Sequence, residues 1–222
     1  MAPVDPRPRV LTAQLCDVSD VAALATATWW DTAPAGWLVP DPQHRPGALL
    51  GWFTPLVEHA VRYGRVDLLS TRRAAAVWLD RTRPTPAPTD YIQRLSDGCG
   101  AHAAAMLRYE ALLAQHRPPV GHFHLVILAA IDEQDANLLL AHRHSRTDGL
   151  QVPAYAIAAS AEQRDLLAAA AYRATAPLGL PDGPALWPMW RPPRLARAVR
   201  PRAARATPSA LRLGSADLRA RR

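Results

Sequence analysis

The sequence contains no lysine; all 26 of its cationic residues are arginine. Beside the excess of alanine and proline, this reads as the coding bias of a GC-rich bacterial genome rather than as selection for guanidinium chemistry. Cysteine is scarce. Cys16 and Cys99 stand at no spacing that suits a metal or a redox pair, and their simplest role is that of small buried hydrophobes. No apolar run reaches the roughly 18–20 residues needed to cross a bilayer. The opening MAPVDPRPRV has no apolar core of the signal-peptide kind. These absences set the expectation of a reduced, cytoplasmic protein that makes no use of a membrane.

What is present is a chain of 222 residues, 49% apolar, enough for one large globular domain with extensions. The formal charge of +7 is unevenly spread. Residues 191–222 hold ten arginines and one acid, Asp217, a local +9, so the rest of the chain carries −2. A basic groove for nucleic acid in the body is not indicated. Nucleic-acid contact is expected only through the tail, which lacks interleaved aromatics for base stacking. The expected organisation is a lead-in over 1–9, a folded domain over 10–193 and an Arg-rich, disordered tail over 194–222.

Hydrophobic spacing predicts a strand over 10–16, a helix begun by Asp17 that ends near Trp29-Trp30-Asp31, and a Pro-punctuated loop over 32–42. Leu49, Phe53, Val57 and Val61 form the stripe of a helix over 43–63, with Pro55 inside it as an expected kink. Strands over 65–70 and 74–80 form a hairpin about Thr71-Arg72-Arg73. A Pro-rich connector follows, then a helix over 90–116 interrupted at Asp97-Gly98-Cys99-Gly100. The longest apolar strand, 122–131 (HFHLVILAAI), is expected to be central and buried on both faces. Next come a helix over 134–148 capped by Gly149, a strand over 153–158, and a helix from Ser160 to about Ala171. A strand over 172–175 and a hairpin turned by Leu180-Pro181-Asp182-Gly183-Pro184, returning over 185–190, close the domain.

The stretch His122–Tyr172 thus reads β-α-β-α, the order in which α/β proteins often place a ligand. Turns that hold phosphates in such units are Gly-rich, because glycine lets backbone N–H groups approach an anion. Here the turn reads Ile131-Asp132-Glu133-Gln134-Asp135-Ala136-Asn137, with three acids and no glycine.

The order β-α-α-β-β-α-β-α-β-α-β-β resembles the GNAT superfamily of acyl-CoA-dependent N-acyltransferases, in its actinobacterial branch. The likeness is carried by Trp37-Leu38-Val39-Pro40-Asp41-Pro42, Ala76-Val77-Trp78-Leu79, and His122-Phe123-His124-Leu125 through Ile131-Asp132. It continues in LLAHRHSRTDG over 139–149, Pro153-Ala154-Tyr155, and Leu180-Pro181-Asp182-Gly183 with Leu186-Trp187-Pro188-Met189-Trp190-Arg191. It covers roughly residues 8–193.

The resemblance implies an α/β (α+β) fold, a mixed and mostly antiparallel sheet with splayed central strands and helices on both faces. It implies acetyl-CoA as the co-substrate, held by Leu128, Ala129, Ala130, Ile131, Gln134 and Asn137. A small-molecule or peptide amine would be the acceptor, in a pocket that includes Trp30, Asp31 and Trp37, with Trp29 and Trp52 as further apolar lining. Two departures fall on the chemistry. The family's Gln/Arg-x-x-Gly-x-Gly/Ala turn is replaced by the shorter acidic one. The helix position that often carries a tyrosine general acid is Leu167, and Tyr172 corresponds instead to the aromatic that starts the next strand.

Among the remaining candidates, His122 and His124 share one strand face. They suit a general base for an amine, half a metal site, or a pair of polar residues near a strand end. His142 and His144 lie about 200° apart on a helix and cannot chelate one ion together, so no metal is expected. Ser160 fits a Ser-x-x-Gln helix cap better than a nucleophile. Two functions follow: an N-acetyltransferase acting on an amine, with activity reduced or lost, or an inactive GNAT-fold binding or regulatory protein.

Overall fold

Among the described residues of the computed structural model, 8–194, eight strands and seven α-helices alternate. The tail beyond residue 194 and the first seven residues of the lead-in lie outside the described residues. The elements are β1 (Val10–Thr12), α1 (Val18–Trp29), α2 (Ala33–Leu38), α3 (Arg45–Tyr63), β2 (Arg65–Leu69), β3 (Ala74–Asp80), α4 (Tyr91–Cys99) and α5 (Ala103–Gln115). Then follow β4 (Phe123–Ala130), α6 (Glu133–Gly149), β5 (Ala154–Ala158), α7 (Ala161–Ala169), β6 (Arg173–Ala174), β7 (Leu178–Gly179) and β8 (Ala185–Arg191). The sheet order is β1-β2-β3-β4-β5-β8-β6, with β7 also on β8. Every pairing is antiparallel except β4 with β5, so the sheet is mixed and mostly antiparallel, as expected.

The parallel pair sets up the site. β4 and β5 pair only over Phe123–Leu125 with Ala154–Ala156. Beyond Leu125 the two strands part, leaving one edge of β4 without a strand partner. On its other edge, the pairing with β3 slips by one residue: Leu125 faces Trp78 and Ile127 faces Val77, so Val126 is the extra residue of a β-bulge. Side chains alternate across a strand, so one extra residue exchanges the faces. Leu125 packs with Trp78, Leu139 and Leu140 under α6, whereas Ile127 and Ala129 join the core beneath α1 and α3. β4 is central, but its alternate residues are only half buried, because they face the gap rather than a second packed layer.

Other boundaries differ from the expectations for local reasons. The strand over 10–16 stops at Thr12, and Leu15–Asp17 turns as a 3-10 helix. The loop expected over 32–42 contains α2: Pro34 occupies its first turn, where no N–H is required, and the Thr32 hydroxyl accepts from Ala35 N at 3.4 Å. The helix over 90–116 is two helices joined by a 3-10 turn at Gly100–His102. Gly149 is the last residue of α6 rather than its cap, and Leu150 caps.

Two ion pairs, which periodicity does not report, bind α6 to the sheet. Arg143 Nε donates to Asp67 Oδ2 of β2 at 2.9 Å, with both side chains almost fully enclosed. Arg191 of β8 forks onto Asp148, both contacts at 2.7 Å. Such pairs fix geometry more than they add stability, since each charge must first leave water.

Candidate functional site

Two cavities meet at the gap between β4 and β5. The first, of about 450 Å³, lies between the sheet and helices α1, α3, α4 and α5, and the Pro-rich connector contributes residues 85–88 to its wall. The second, of about 600 Å³, opens between the end of β4, the start of α6 and the start of α7. Thr28, Trp29, Leu128, Ala159 and Gln163 line both, so the two are continuous.

The first cavity is walled by aromatics. Trp52 is the hub, with ring centroids 5.4 Å from Trp29, 5.1 Å from Phe53 and 5.6 Å from Tyr109. Glu110 of α5 accepts from Trp52 Nε1 at 2.7 Å and from the Tyr91 hydroxyl. Burial, and then the Glu110 charge, push the Tyr91 phenol far above its ordinary range, so it stays a donor. Opposite stand Arg81, Arg117, His59 and His124. Burial, followed by Arg117 and Arg81, holds the His124 imidazole well below its ordinary range, so it is neutral at pH 7, and its Nδ1 is buried without a partner.

The second cavity has the opposite character. Asp132, Glu133, Glu162 and Asp165 line it, with no arginine or histidine among its lining residues. Asp132 caps α6: its Oδ1 accepts from Asp135 N at 2.8 Å, and its Oδ2 accepts from Arg73 at 2.7 Å. The N–H bond and then the Arg73 guanidinium hold the Asp132 carboxyl below the usual carboxylate range. The N-terminus of a helix attracts anions; here the chain's own carboxylate takes that place, with Asp135 beside it, also bonded to Arg73 at 3.3 Å.

The candidate residues are distributed unevenly over this site. His124 lines the first cavity; His122 does not, and its Nδ1 bonds Val120 O at 2.7 Å. Leu128 lines both cavities, and Ala130 and Ile131 line the second. Ala129 is enclosed in the core under α1, while Gln134 and Asn137 line neither cavity. Trp30 and Asp31 are exposed beyond the end of α1. Trp37 lies on the closing hairpin, donating to Pro181 O at 3.0 Å. Trp29, one residue earlier than Trp30, is the tryptophan that enters the site. Ser160 is a helix cap, its hydroxyl accepting from Gln163 N at 3.2 Å. Tyr172 is buried with its hydroxyl 3.1 Å from His144 Nε2, away from both cavities. Leu167 is buried in the core under α6 and offers no proton.

Arg81, Arg117 and Glu110 were not singled out by spacing as one constellation. They come from the end of β3, the end of α5 and the body of α5, and only the fold brings them together. No group of three or more His, Cys, Asp or Glu side chains suited to a metal occurs among the described residues.

A sheet of this order, opened between its parallel strands and bulged in β4, defines the GNAT-type acetyltransferase fold, and solved structures of that class superpose on it. One is the histone acetyltransferase HPA2 and related acetyltransferase of Corynebacterium glutamicum, at 20% identity over 86% of this chain and 98% of that one, with a TM-score of 0.65. Others are the arylalkylamine N-acetyltransferase 2 of Aedes aegypti (12%, 85% and 100%, TM-score 0.54) and the Drosophila melanogaster polyamine N-acetyltransferase that forms N-acetylagmatine (11%, 84% and 100%, TM-score 0.53). At these identities the likeness establishes the fold. No protein-family model matches the sequence, and no curated protein matches it.

The fold implies acetyl-CoA, and the residues can be tested against it. The gap walls Leu128, Ala130 and Ala159 suit an extended apolar arm. The end that would receive the pyrophosphate does not suit it: the helix terminus is capped by Asp132 and the surrounding charge is acidic. As a whole, the site does not fit the coenzyme.

Proposed function

We propose that this is a GNAT-fold binding protein, of the actinobacterial type its sequence resembles, that takes a small molecule into the aromatic cavity and has lost acetyl-CoA-dependent transfer. The observation that carries this reading is Asp132, whose carboxylate holds the α6 N-terminus and the Arg73 guanidinium that an incoming pyrophosphate would need. The missing proton donor at Leu167 agrees with it. A cytoplasmic location belongs to the same reading and rests on the two free thiols, Cys16 and Cys99.

The test is calorimetric titration with acetyl-CoA, paired with a thermal shift. A working site would stabilise the fold as RT ln(1 + [L]/Kd). We expect no saturable heat and no shift at millimolar acetyl-CoA; binding below the millimolar range would overturn the proposal.

One observation favours a second reading, residual transfer. The two cavities join through the gap, as a donor and an acceptor meeting across β4 would require. Release of free CoA thiol from acetyl-CoA in the presence of an arylalkylamine or agmatine would establish it.

A further inference from the structure

The charge inside the aromatic cavity is unbalanced. Seven described arginines are not exposed: Arg45, Arg81, Arg94, Arg117, Arg143, Arg164 and Arg191. Five of them have a counter-charge or backbone acceptors, although Nε of Arg191 is itself buried without a partner. Arg45 donates to three backbone carbonyls, Arg94 pairs with Glu58, Arg143 with Asp67, Arg164 with Asp165 and Arg191 with Asp148. Arg81 and Arg117 are the exceptions. Neither side chain makes a hydrogen bond or ion pair with any described residue, and the Nε atom of each is buried without a partner. Both line the same cavity, and burial first and the Arg117 guanidinium second disfavour the charge of Arg81.

The other ionisable groups facing them do not restore the balance. Burial first, and then Arg81, lowers the His59 imidazole, and burial followed by Arg117 and Arg81 lowers that of His124, so neither offers a counter-charge. Glu110, the one carboxylate in the lining, spends its Oε1 on Trp52 and Tyr91 and lies beyond ion-pair distance of either arginine. A part-buried guanidinium without a counter-charge is costly, and two lining one cavity are more so. Guanidinium forks match carboxylate and phosphate groups, and their combination with a concave aromatic wall is that of a small-molecule site.

We propose that the aromatic cavity binds a small organic anion, a carboxylate or phosphate ester on an apolar body, with Arg81 and Arg117 holding the anionic end and the rings around Trp52 holding the body. This deepens the binding-protein reading and rests on it. It also sets this cavity apart from one built for a polyamine, whose positive charges the two arginines would repel.

The experiment compares four probes of one shape on the full chain by calorimetry: phenylacetate, phenyl phosphate, phenylacetamide and phenethylamine. At least one anion is expected to bind saturably, and at least about tenfold tighter than phenylacetamide, with phenethylamine weakest. The stronger of the two anions identifies the class, carboxylate or phosphate. Binding of phenylacetamide or phenethylamine as tight as the better of the two anions, or no anion binding at about 10 mM, overturns the proposal. This comparison needs no variant to fold. Arg117→Gln supplies a second readout: it should weaken anion binding while leaving the ligand-free Tm unchanged or raised, since it removes an unpaired charge. A lowered Tm with the anion preference intact would assign Arg117 to structure and overturn its role. The acetyl-CoA titration separates the two readings. Acetyl-CoA turnover would sink the binding-protein reading and leave the anion preference standing; a silent acetyl-CoA titration with no anion preference would do the reverse.

Discussion

Arg73, at the turn between β2 and β3, donates to the Asp132 carboxylate at 2.7 Å across the mouth of the second cavity. It thereby ties the tip of a hairpin to the first turn of α6, and it neutralises part of the acid that the turn carries. The same guanidinium bonds Asp135, one turn into the helix. The anion-attracting end of α6 is therefore satisfied from within the chain.

If that satisfaction is what excludes CoA, it can be removed. The double variant Asp132→Ala/Glu133→Ala frees the N–H groups of α6 and one arm of the Arg73 fork, the other still bonded to Asp135, and deletes two like charges. CoA binding is expected to appear below the millimolar range, where the wild type shows none, because an anion at the helix terminus would gain two favourable partners. Isothermal titration of both proteins with CoA checks this; an unchanged affinity would show that the cap is not the obstacle.

Gly51 of α3 and Gly98 of α4 let two helix backbones touch. A Cβ on Gly51 would lie 2.3 Å from Gly98 O, and a Cβ on Gly98 would lie 2.8 Å from Gly51 Cα. Gly51→Ala should therefore destabilise by about 1–3 kcal/mol, the usual cost of overpacking. Gly47→Ala, on the same helix with nothing within 4 Å of the added carbon, should be neutral or stabilise by up to about 1 kcal/mol. Urea denaturation of the two variants separates contact from propensity.

Stability should fall on mild acidification. Burial holds His59, His122, His124, His142 and His144 below the ordinary value of 6.5, His144 down to about 3. Below pH 6.5 the unfolded chain takes up protons that the native imidazoles refuse, so the native state loses ground as pH falls. An imidazole held as low as that of His144 costs about 1.4 kcal/mol per pH unit once the unfolded chain is protonated, so His144 alone accounts for about 2 kcal/mol between pH 7 and 5, and His124 acts in the same direction. The carboxylates held low, such as Asp17, Glu58 and Asp148, add their loss only nearer pH 4 and below. Urea midpoints at pH 7, 6 and 5 test the histidine window, and a flat profile there would contradict it.

The two thiols should differ sharply. Cys16 is exposed, whereas Cys99 is buried with its Sγ 3.3 Å from Ala48 O. Burial, with Glu110 nearby, pushes the Cys99 thiol up to about 11. In the native protein at pH 8, an aromatic disulfide reagent should modify one thiol rapidly and the second only on unfolding. Two fast equivalents would contradict this placement.

The element order was legible in the sequence because apolar periodicity records which face each segment buries. Leu49, Phe53 and Val57 did so without ambiguity, whereas the unbroken apolar run of β4 reads as buried on both faces and its alternate residues are half buried. Proline misled where it opens a helix: Pro34 looks like punctuation but occupies the first turn of α2. The glycines at 98 and 100 looked like one interruption and have two causes, a close helix approach at Gly98 and a positive φ of 53° at Gly100. The site was half legible. Trp29, Trp52, His124 and the acidic turn carry local signals. The Arg81 and Arg117 pair does not, since its chemistry arises from partners that are absent, and a missing counter-charge is visible only once the chain has folded.

Val126, the extra residue in β4, also acts as a lock on alignment. Upstream of it the strand owes its odd-numbered side chains to one core, and downstream to the other. A strand of uniform parity can slide by two residues and still offer apolar groups to the same layer. This one cannot, because any slide puts the exchange point opposite the wrong place on β3 and strands one of the two cores. The irregularity beside the gap therefore fixes the register in which the chain assembles it.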